Sequence, residues 1–223
     1  IPKPFLALSG GGLLLALISF IPNIPIWLEY IALIALLIAL FISKNSLKMQ
    51  WNKSGSQGAY LVLMAILLHV YDGIGDTTMT AIAALIGLII YFIGLNKLKE
   101  SIDTEGAKGI SRLKIAVIVS IIAVIFGWIP LLGGIIAGIL LLIAFIVEYM
   151  GYNAMKGSAS LGAEGQAGAG KLCFSMIVML IAAFINLFPL TGMFVGLITL
   201  VALWLVFQGW SMVLWGIESE TTR

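Results

Sequence analysis

The chain has 223 residues, of which 61 % are apolar and only 10 % are charged. Soluble domains carry about 25 % charged residues, so this composition excludes a soluble globular protein and predicts an all-α integral membrane protein. The chain contains one cysteine, Cys173, and one histidine, His69. These counts exclude a disulfide framework and a metal site built from several cysteines or histidines of this chain.

Eight apolar stretches follow one another, at about 5–20, 26–43, 58–71, 76–95, 113–129, 132–150, 172–188 and 191–214. We predict eight transmembrane helices, paired into four tandem hairpins of the same orientation that form a single transmembrane domain over residues 1–223. The hairpins cover 5–43, 58–95, 113–150 and 172–214. The first stretch is interpreted as a retained helix, because no cleavage motif precedes the turn at Pro22. Stretch 58–71 is shorter than the ~20 residues that a spanning helix needs, and a count of six helices would omit it and the first stretch.

The prediction of repeated hairpins comes from a recurring interval between a turn and a polar stop. Pro22 precedes Asn45, Gly73 precedes Asn96 and Pro130 precedes Asn153 by the same number of residues. That interval of about 23 residues spans roughly 35 Å as a helix, which is enough to cross a bilayer core. A fourth copy begins at Pro189 and lacks the polar stop. The unit is typical of small prokaryotic multi-pass proteins.

The basic residues predict which ends of the helices face the cytoplasm. All 12 lysines and arginines lie at the termini, in the connections between hairpins or, for Lys114, directly beside one, and none lies in the turns within hairpins. By the positive-inside rule, both termini and these connections are cytoplasmic in the inner or plasma membrane of a cell. The connections at 44–57, 97–112 and 156–171 are rich in glycine and serine, and segment 157–170 is predicted to be flexible. Tyr91 and Tyr152 near the same ends are assigned to an interfacial aromatic belt.

One segment matches a phosphate-binding loop and fails its structural criteria. Residues 165–171 read G-x-x-x-x-G-K, but Leu172 stands where that motif needs serine or threonine. No strand precedes the segment, and the following helix enters the membrane. We interpret it as a glycine-rich connection, and no cofactor and no catalytic residue is predicted for this chain.

Four polar residues map to the outer rim of the predicted bundle: Glu29, His69, Asp72 and Asp76. Together they could bind a cation or a small polar ligand, or form the mouth of a pore. The alternative is a solvated outer loop, since Gly73 and Gly75 interrupt the helix and the spacing does not place the four on one face. No metal is assigned to them.

Two further groups of residues are expected to contact helices or lipid headgroups and to have no catalytic role. Pairs of small residues four apart let helix backbones approach closely, and two such glycine pairs are assigned first to packing within the chain and second to a partner helix. These are Gly134, Gly138, Gly192 and Gly196. Lys48, Lys99 and Lys156 follow the polar stops, where they complement the helix ends and reach anionic lipid headgroups.

Glu148 lies inside an apolar stretch, three residues before Gly151. We expect it to reach the inner interface, and otherwise to need a partner within the membrane. No carboxylate, lysine or arginine is expected near a bilayer centre. That scarcity argues against an ion-coupled pump and against an enzyme, whose acid–base or metal site needs several ionisable groups in one place.

The first function hypothesis is therefore a non-enzymatic accessory or assembly subunit that packs against lipid and against partner membrane proteins or a second copy. The alternative is a channel or transporter for a small solute that passes between the hairpins. The chain contains no segment suited to nucleic acid. The identity of solute or partner is left open.

Overall fold

The computed structural model describes residues 54–72, 78–130, 132–185 and 192–220, and the single residues Gly10, Ile31 and Ile38. In this part of the chain the regular structure is helical throughout, with no strand. The six α-helices are α1 (Ser54–Asp72), α2 (Thr78–Ser101), α3 (Thr104–Gly127), α4 (Gly133–Lys156), α5 (Gly162–Ile185) and α6 (Gly192–Glu220). They correspond to the last six predicted stretches. The stretches at 5–20 and 26–43 lie outside the described residues.

Five helical segments are long and apolar enough to cross a membrane, which indicates a membrane protein. They are Ile82–Ser101, Thr104–Gly127, Gly133–Lys156, Ala159–Ile185 and Ile198–Ile217. Helix α1 is not among them. Its first turn, Ser54 to Gln57, is small and polar, which leaves only the later turns strongly apolar.

The helices pack in the pairs expected from their order. The most extensive contacts join α1 to α2, α3 to α4 and α5 to α6. Smaller contacts join α2 to α3, α4 to α5 and α1 to α6. Each pair therefore contacts both of the others, and the six described helices close into one bundle with an apolar outer surface.

Three close backbone crossings hold the pairs together, one in each. The crossing glycines are Gly58 with Gly94, Gly109 with Gly151, and Gly168 with Gly209. A Cβ added to the first glycine of each pair would lie close to the carbonyl oxygen of the second. The distances are 2.6 Å for Gly58, 2.6 Å for Gly109 and 2.5 Å for Gly168. Since real Cβ atoms do not approach so closely, only glycine allows these backbones to touch. We call this end of the bundle the basic end, because the exposed Lys99, Lys108 and Lys156 lie near it.

A second contact follows one helical turn beyond each crossing, toward the basic end. A Cβ at Gly55 would lie 2.6 Å from the hydroxyl of Ser101, and one at Gly106 would lie 2.7 Å from that of Ser158. In the third pair, a Cβ at Gly216 would lie 2.7 Å from the Cα of Gly165. Each first helix thus carries the pattern G-x-x-G at its basic end.

This packing corrects the prediction that segment 157–170 is flexible, and it shows that another connection is largely helical. Helix α2 continues to Ser101 and α3 begins at Thr104, so most of 97–112 is helical. Segment 157–170 is ordered as well: a 3₁₀ helix at Ala159–Leu161 leads into α5, which begins at Gly162 with φ of 62°. The glycines in these segments serve close helix contact, which their local composition does not distinguish from flexibility.

Candidate functional site in the central cavity

A half-open cavity of about 550 Å³ is lined by residues from each of the six described helices, and some of them, such as Leu141, are also exposed. Most of the wall is apolar, including Ala65, Leu88, Val117, Leu141, Met176 and Val206, one from each helix in order. The volume falls within the range of about 300–1,000 Å³ that is usual for small-molecule sites. The cavity is therefore large enough for a small solute with an apolar body.

The polar groups of the wall centre on Glu148. The hydroxyl of Tyr152 donates a hydrogen bond to Oε1 of Glu148 at 3.0 Å. Tyr91 of α2 lies beside both residues and also lines the cavity. Behind them the ring of Trp210 in α6 meets the ring of Tyr152 edge-on, with centroids 6.2 Å apart. Two helices thus surround one carboxyl group with phenol side chains, and a third supports them.

Glu148 has no cationic partner among the described residues. The one ion pair in this part of the chain joins Lys108 to Glu105 on the surface, at 2.7 Å. No lysine or arginine lines the cavity, and His69 is the one basic side chain in its described wall. Burying a carboxylate away from water is unfavourable unless another charge balances it. The cavity wall therefore holds a carboxyl group for which the described residues supply no balancing positive charge.

The structure shows where the Glu148 side chain points, and its reach to the inner interface stays a prediction. It lies 8 residues before Lys156, the last residue of α4, or about 12 Å along the helix axis. Its side chain is only partly exposed and turns into the cavity. Tyr152 follows it by four residues, which places both on one face of α4.

The predicted outer-rim site is only partly described. His69 is exposed and lines the cavity near the end of α1 opposite to the basic end. Asp72 ends α1, and its side chain, like Glu29 and Asp76, lies outside the described residues. In the described ranges no three histidine, cysteine, aspartate or glutamate side chains come together as a metal site. The rim site stays a prediction.

The glycine pair of α4 contacts none of the described helices, and its packing stays a prediction. Gly134 and Gly138 are exposed, and a Cβ at either would meet nothing described within 4 Å. They face outward because the crossing of α4 with α3 uses Gly151 at the other end of the helix. Gly192 and Gly196 begin α6 beside residues that are not described, so their packing stays a prediction.

The predicted lipid-contacting lysines are exposed where the structure describes them. Lys99 lies in the last turn of α2 and Lys156 ends α4. Lys48 lies outside the described residues. Contact with headgroups stays a prediction for all three.

A polar cluster at the basic end joins two connections between helix pairs. Asp103 caps α3 by accepting a hydrogen bond at Oδ1 from the Gly106 amide, at 2.8 Å. It also accepts hydrogen bonds from the hydroxyl of the buried Ser158 at 2.8 Å and from the Ser160 amide at 3.2 Å. Partial burial acts to raise the pKa of Asp103, and these hydrogen bonds outweigh it, so that the pKa lies below its usual value. The cluster fixes the α2–α3 connection against the start of α5.

Sequence reasoning did not find the two tyrosines of the cavity. Tyr91 and Tyr152 were assigned to the interfacial belt, whereas both contribute to the wall around Glu148. The signal that could have found Tyr152 is its spacing of four from Glu148 within one helix. Tyr91 lies 57 residues before Glu148, and only the packing of α2 brings it close.

We compared the chain with protein-family models, curated proteins and solved structures, and none of them matches it. The function must therefore be argued from the cavity and the surface of the bundle.

Proposed function

We propose that the protein is a non-enzymatic channel or transporter that binds a small, mainly apolar solute in the central cavity and passes it across the bilayer. The observation that carries the proposal is a cavity of about 550 Å³ lined by six helices, with one carboxyl group in its wall. A chain that serves only to pack against partners has no need of such a space. The described wall also holds His69, Ser120 and Ser175, but no described hydrogen bond joins either serine to His69 or to Glu148, as a nucleophile would be joined to its base.

The topology that goes with this function is four tandem hairpins, or eight spanning helices, with both termini in the cytoplasm. Support comes from the three glycine crossings, which recur in successive helix pairs at the same end of the bundle. Further support comes from the basic residues, which gather at that end, where the positive-inside rule places the cytoplasm of a cell membrane.

A cysteine-accessibility experiment tests the transport path. Ser120 of α3 lines the cavity, and Ile118, two residues earlier, is 47 % exposed on the outer surface of the bundle. Each is replaced by cysteine in a Cys173→Ala background and treated with a charged methanethiosulfonate reagent in whole cells and in inverted vesicles. We expect Ser120→Cys to react at least tenfold faster than Ile118→Cys, and to react from both sides. A Ser120→Cys variant that is unreactive from both sides would reject the path.

The second candidate is the accessory subunit, and the outer face of α4 favours it. Only 11 % of the apolar window of α4 is buried in the bundle, against 28–50 % for the other spanning segments. This exposed face carries Gly134 and Gly138, where another helix backbone could approach closely. Such a subunit would bind a partner membrane protein or a second copy, besides lipid.

Purification in a mild detergent tests this candidate. We expect a partner in fixed ratio that is lost in the double variant Gly134→Leu/Gly138→Leu. The control is Gly170→Leu, at another helical glycine where an added Cβ meets nothing described within 4 Å. A protein that purifies alone and monodisperse, while Ser120→Cys is reactive from both sides, would exclude the accessory role.

A further inference from the structure

We propose that the cavity selects lipophilic cations, that is, molecules with an apolar body and a positively charged head for which Glu148 is the counter-ion. This inference rests on the proposed solute-binding function and names the class of solute. Three features support it: the carboxyl group of Glu148, the aromatic side chains beside it and the apolar wall of the cavity.

Glu148 lacks a positively charged partner among the described residues. Tyr152 donates one hydrogen bond to its Oε1, and no lysine or arginine lies in the described wall of the cavity. A carboxylate in such surroundings is unfavourable until a positive charge comes near. A bound cation supplies that charge, and its pairing with the carboxylate strengthens in the low dielectric of the cavity.

The aromatic side chains suit a cation that is weakly hydrated. Tyr91 of α2 and Tyr152 of α4 both lie beside the carboxyl group. Aromatic rings attract a positive charge placed over their faces, and this is a recurrent way of binding quaternary ammonium groups. A small hydrated metal ion would need several oxygen ligands, whereas the wall here offers one carboxyl group and mainly hydrocarbon.

The remaining wall suits the apolar body of such a molecule. Side chains such as Val117, Leu141 and Met176 face the same space. An anion of the same shape would bury the same apolar surface, but it would meet Glu148 and no lysine or arginine in the described wall. The cavity should therefore discriminate by the sign of the charge.

The test uses two ions of matched shape and opposite charge, tetraphenylphosphonium and tetraphenylborate. Binding to the purified full chain in a nonionic detergent is measured by equilibrium dialysis. We expect saturable binding of tetraphenylphosphonium and none of tetraphenylborate. Glu148→Gln should weaken binding of the cation at least tenfold. The matched control Glu164→Gln changes an exposed glutamate at the start of α5 and should leave binding unchanged.

A second variant keeps the inference falsifiable if Glu148→Gln does not fold. Tyr91→Leu retains apolar bulk and removes the aromatic face, and we expect it to weaken tetraphenylphosphonium binding severalfold. The inference is overturned if the two ions bind equally or if the cation does not bind. It is also overturned if Glu148→Gln binds the cation as well as the wild type does. The proposed function is tested by a different experiment. It is rejected if Ser120→Cys is unreactive from both sides. If that cysteine reacts and the cation does not bind, only the inference about cations is rejected.

Discussion

Asp103 shows how a single side chain can hold two connections of this bundle in place. Its carboxylate caps α3 through the Gly106 amide and binds Ser158 and Ser160 beyond α4. Its own amide donates in return to the hydroxyl of Ser160, at 2.9 Å. These hydrogen bonds therefore join the start of α3 to the connection between α4 and α5.

We predict that Asp103→Ala lowers the free energy of unfolding by about 1–3 kcal/mol, through loss of the cap and of the hydrogen bonds to the second connection. Asp103→Asn retains a capping oxygen and should cost less. Thermal unfolding of the purified protein in detergent measures both. Glu105→Gln, which changes only a surface ion pair, is the control and should have little effect. Equal stability of Asp103→Ala and the wild type would contradict the role of the cluster.

The same residue predicts a pH dependence. The folded-state pKa of Asp103 is lowered, so its charged form stabilises the fold fully above the unfolded-state pKa of about 3.9. That contribution is lost as the pH falls through the lowered folded-state value. Wild-type stability relative to Asp103→Asn should therefore be constant near neutral pH and should shrink below about pH 4. If the stability difference between wild type and Asp103→Asn grows as the pH falls, the pKa of Asp103 is not lowered by folding.

At the scale of the helix pair, two kinds of glycine have opposite roles. Gly58, Gly109 and Gly168 stand where a Cβ would strike the backbone of the partner helix. Gly138 and Gly170 stand where it would meet nothing described. All of them lie within helices, so their intrinsic effect on helix stability is similar and the surroundings decide the difference.

We predict that alanine at a crossing glycine destabilises the protein by about 1–3 kcal/mol, because the two backbones must move apart. Alanine at Gly138 or Gly170 should be neutral or should stabilise by up to about 1 kcal/mol, as expected for a helical glycine in open space. The three crossing variants should resemble one another if the pairs are built alike. Melting temperatures in one detergent give the comparison, and a crossing variant as stable as Gly138→Ala would refute the close contact.

At the scale of the whole molecule, the basic end and the opposite end should lie on different sides of a membrane. Lys108 is exposed near the start of α3, and Trp128, directly after that helix, is 81 % exposed. Trp128 follows Lys108 by 20 residues, which span about 30 Å along the helix axis. One helix therefore connects two positions that membrane topology should separate.

We predict that an impermeant maleimide labels Trp128→Cys in intact cells and labels Lys108→Cys only after permeabilisation, both in a Cys173→Ala background. Lys53→Cys should behave like Lys108→Cys, because both belong to predicted cytoplasmic connections. The unmodified Cys173→Ala chain is the labelling control. Labelling of Lys53→Cys and Lys108→Cys from opposite sides would contradict the tandem arrangement of hairpins.

Composition and periodicity were enough to predict a helical membrane protein and the six described helices. The helix ends were harder to predict, because Gly106 and Gly165 lie in polar segments that resemble flexible linkers. Their pattern G-x-x-G recurs at 55–58, 106–109 and 165–168, and its packing role becomes visible only when the facing glycine on the next helix is known.

The sequence by itself determined that this is a membrane protein, because the apolar content and the charges can be read from each segment on its own. It could not decide the site, because the wall of the cavity is assembled from helices far apart along the chain. Tyr91 joins Tyr152 and Glu148 only through packing between helix pairs. Whether Glu148 faces headgroups, a neighbour or an internal cavity depends on how α4 is rotated in the bundle. That rotation follows from the crossing of Gly109 with Gly151, a contact between two helices rather than a property of either.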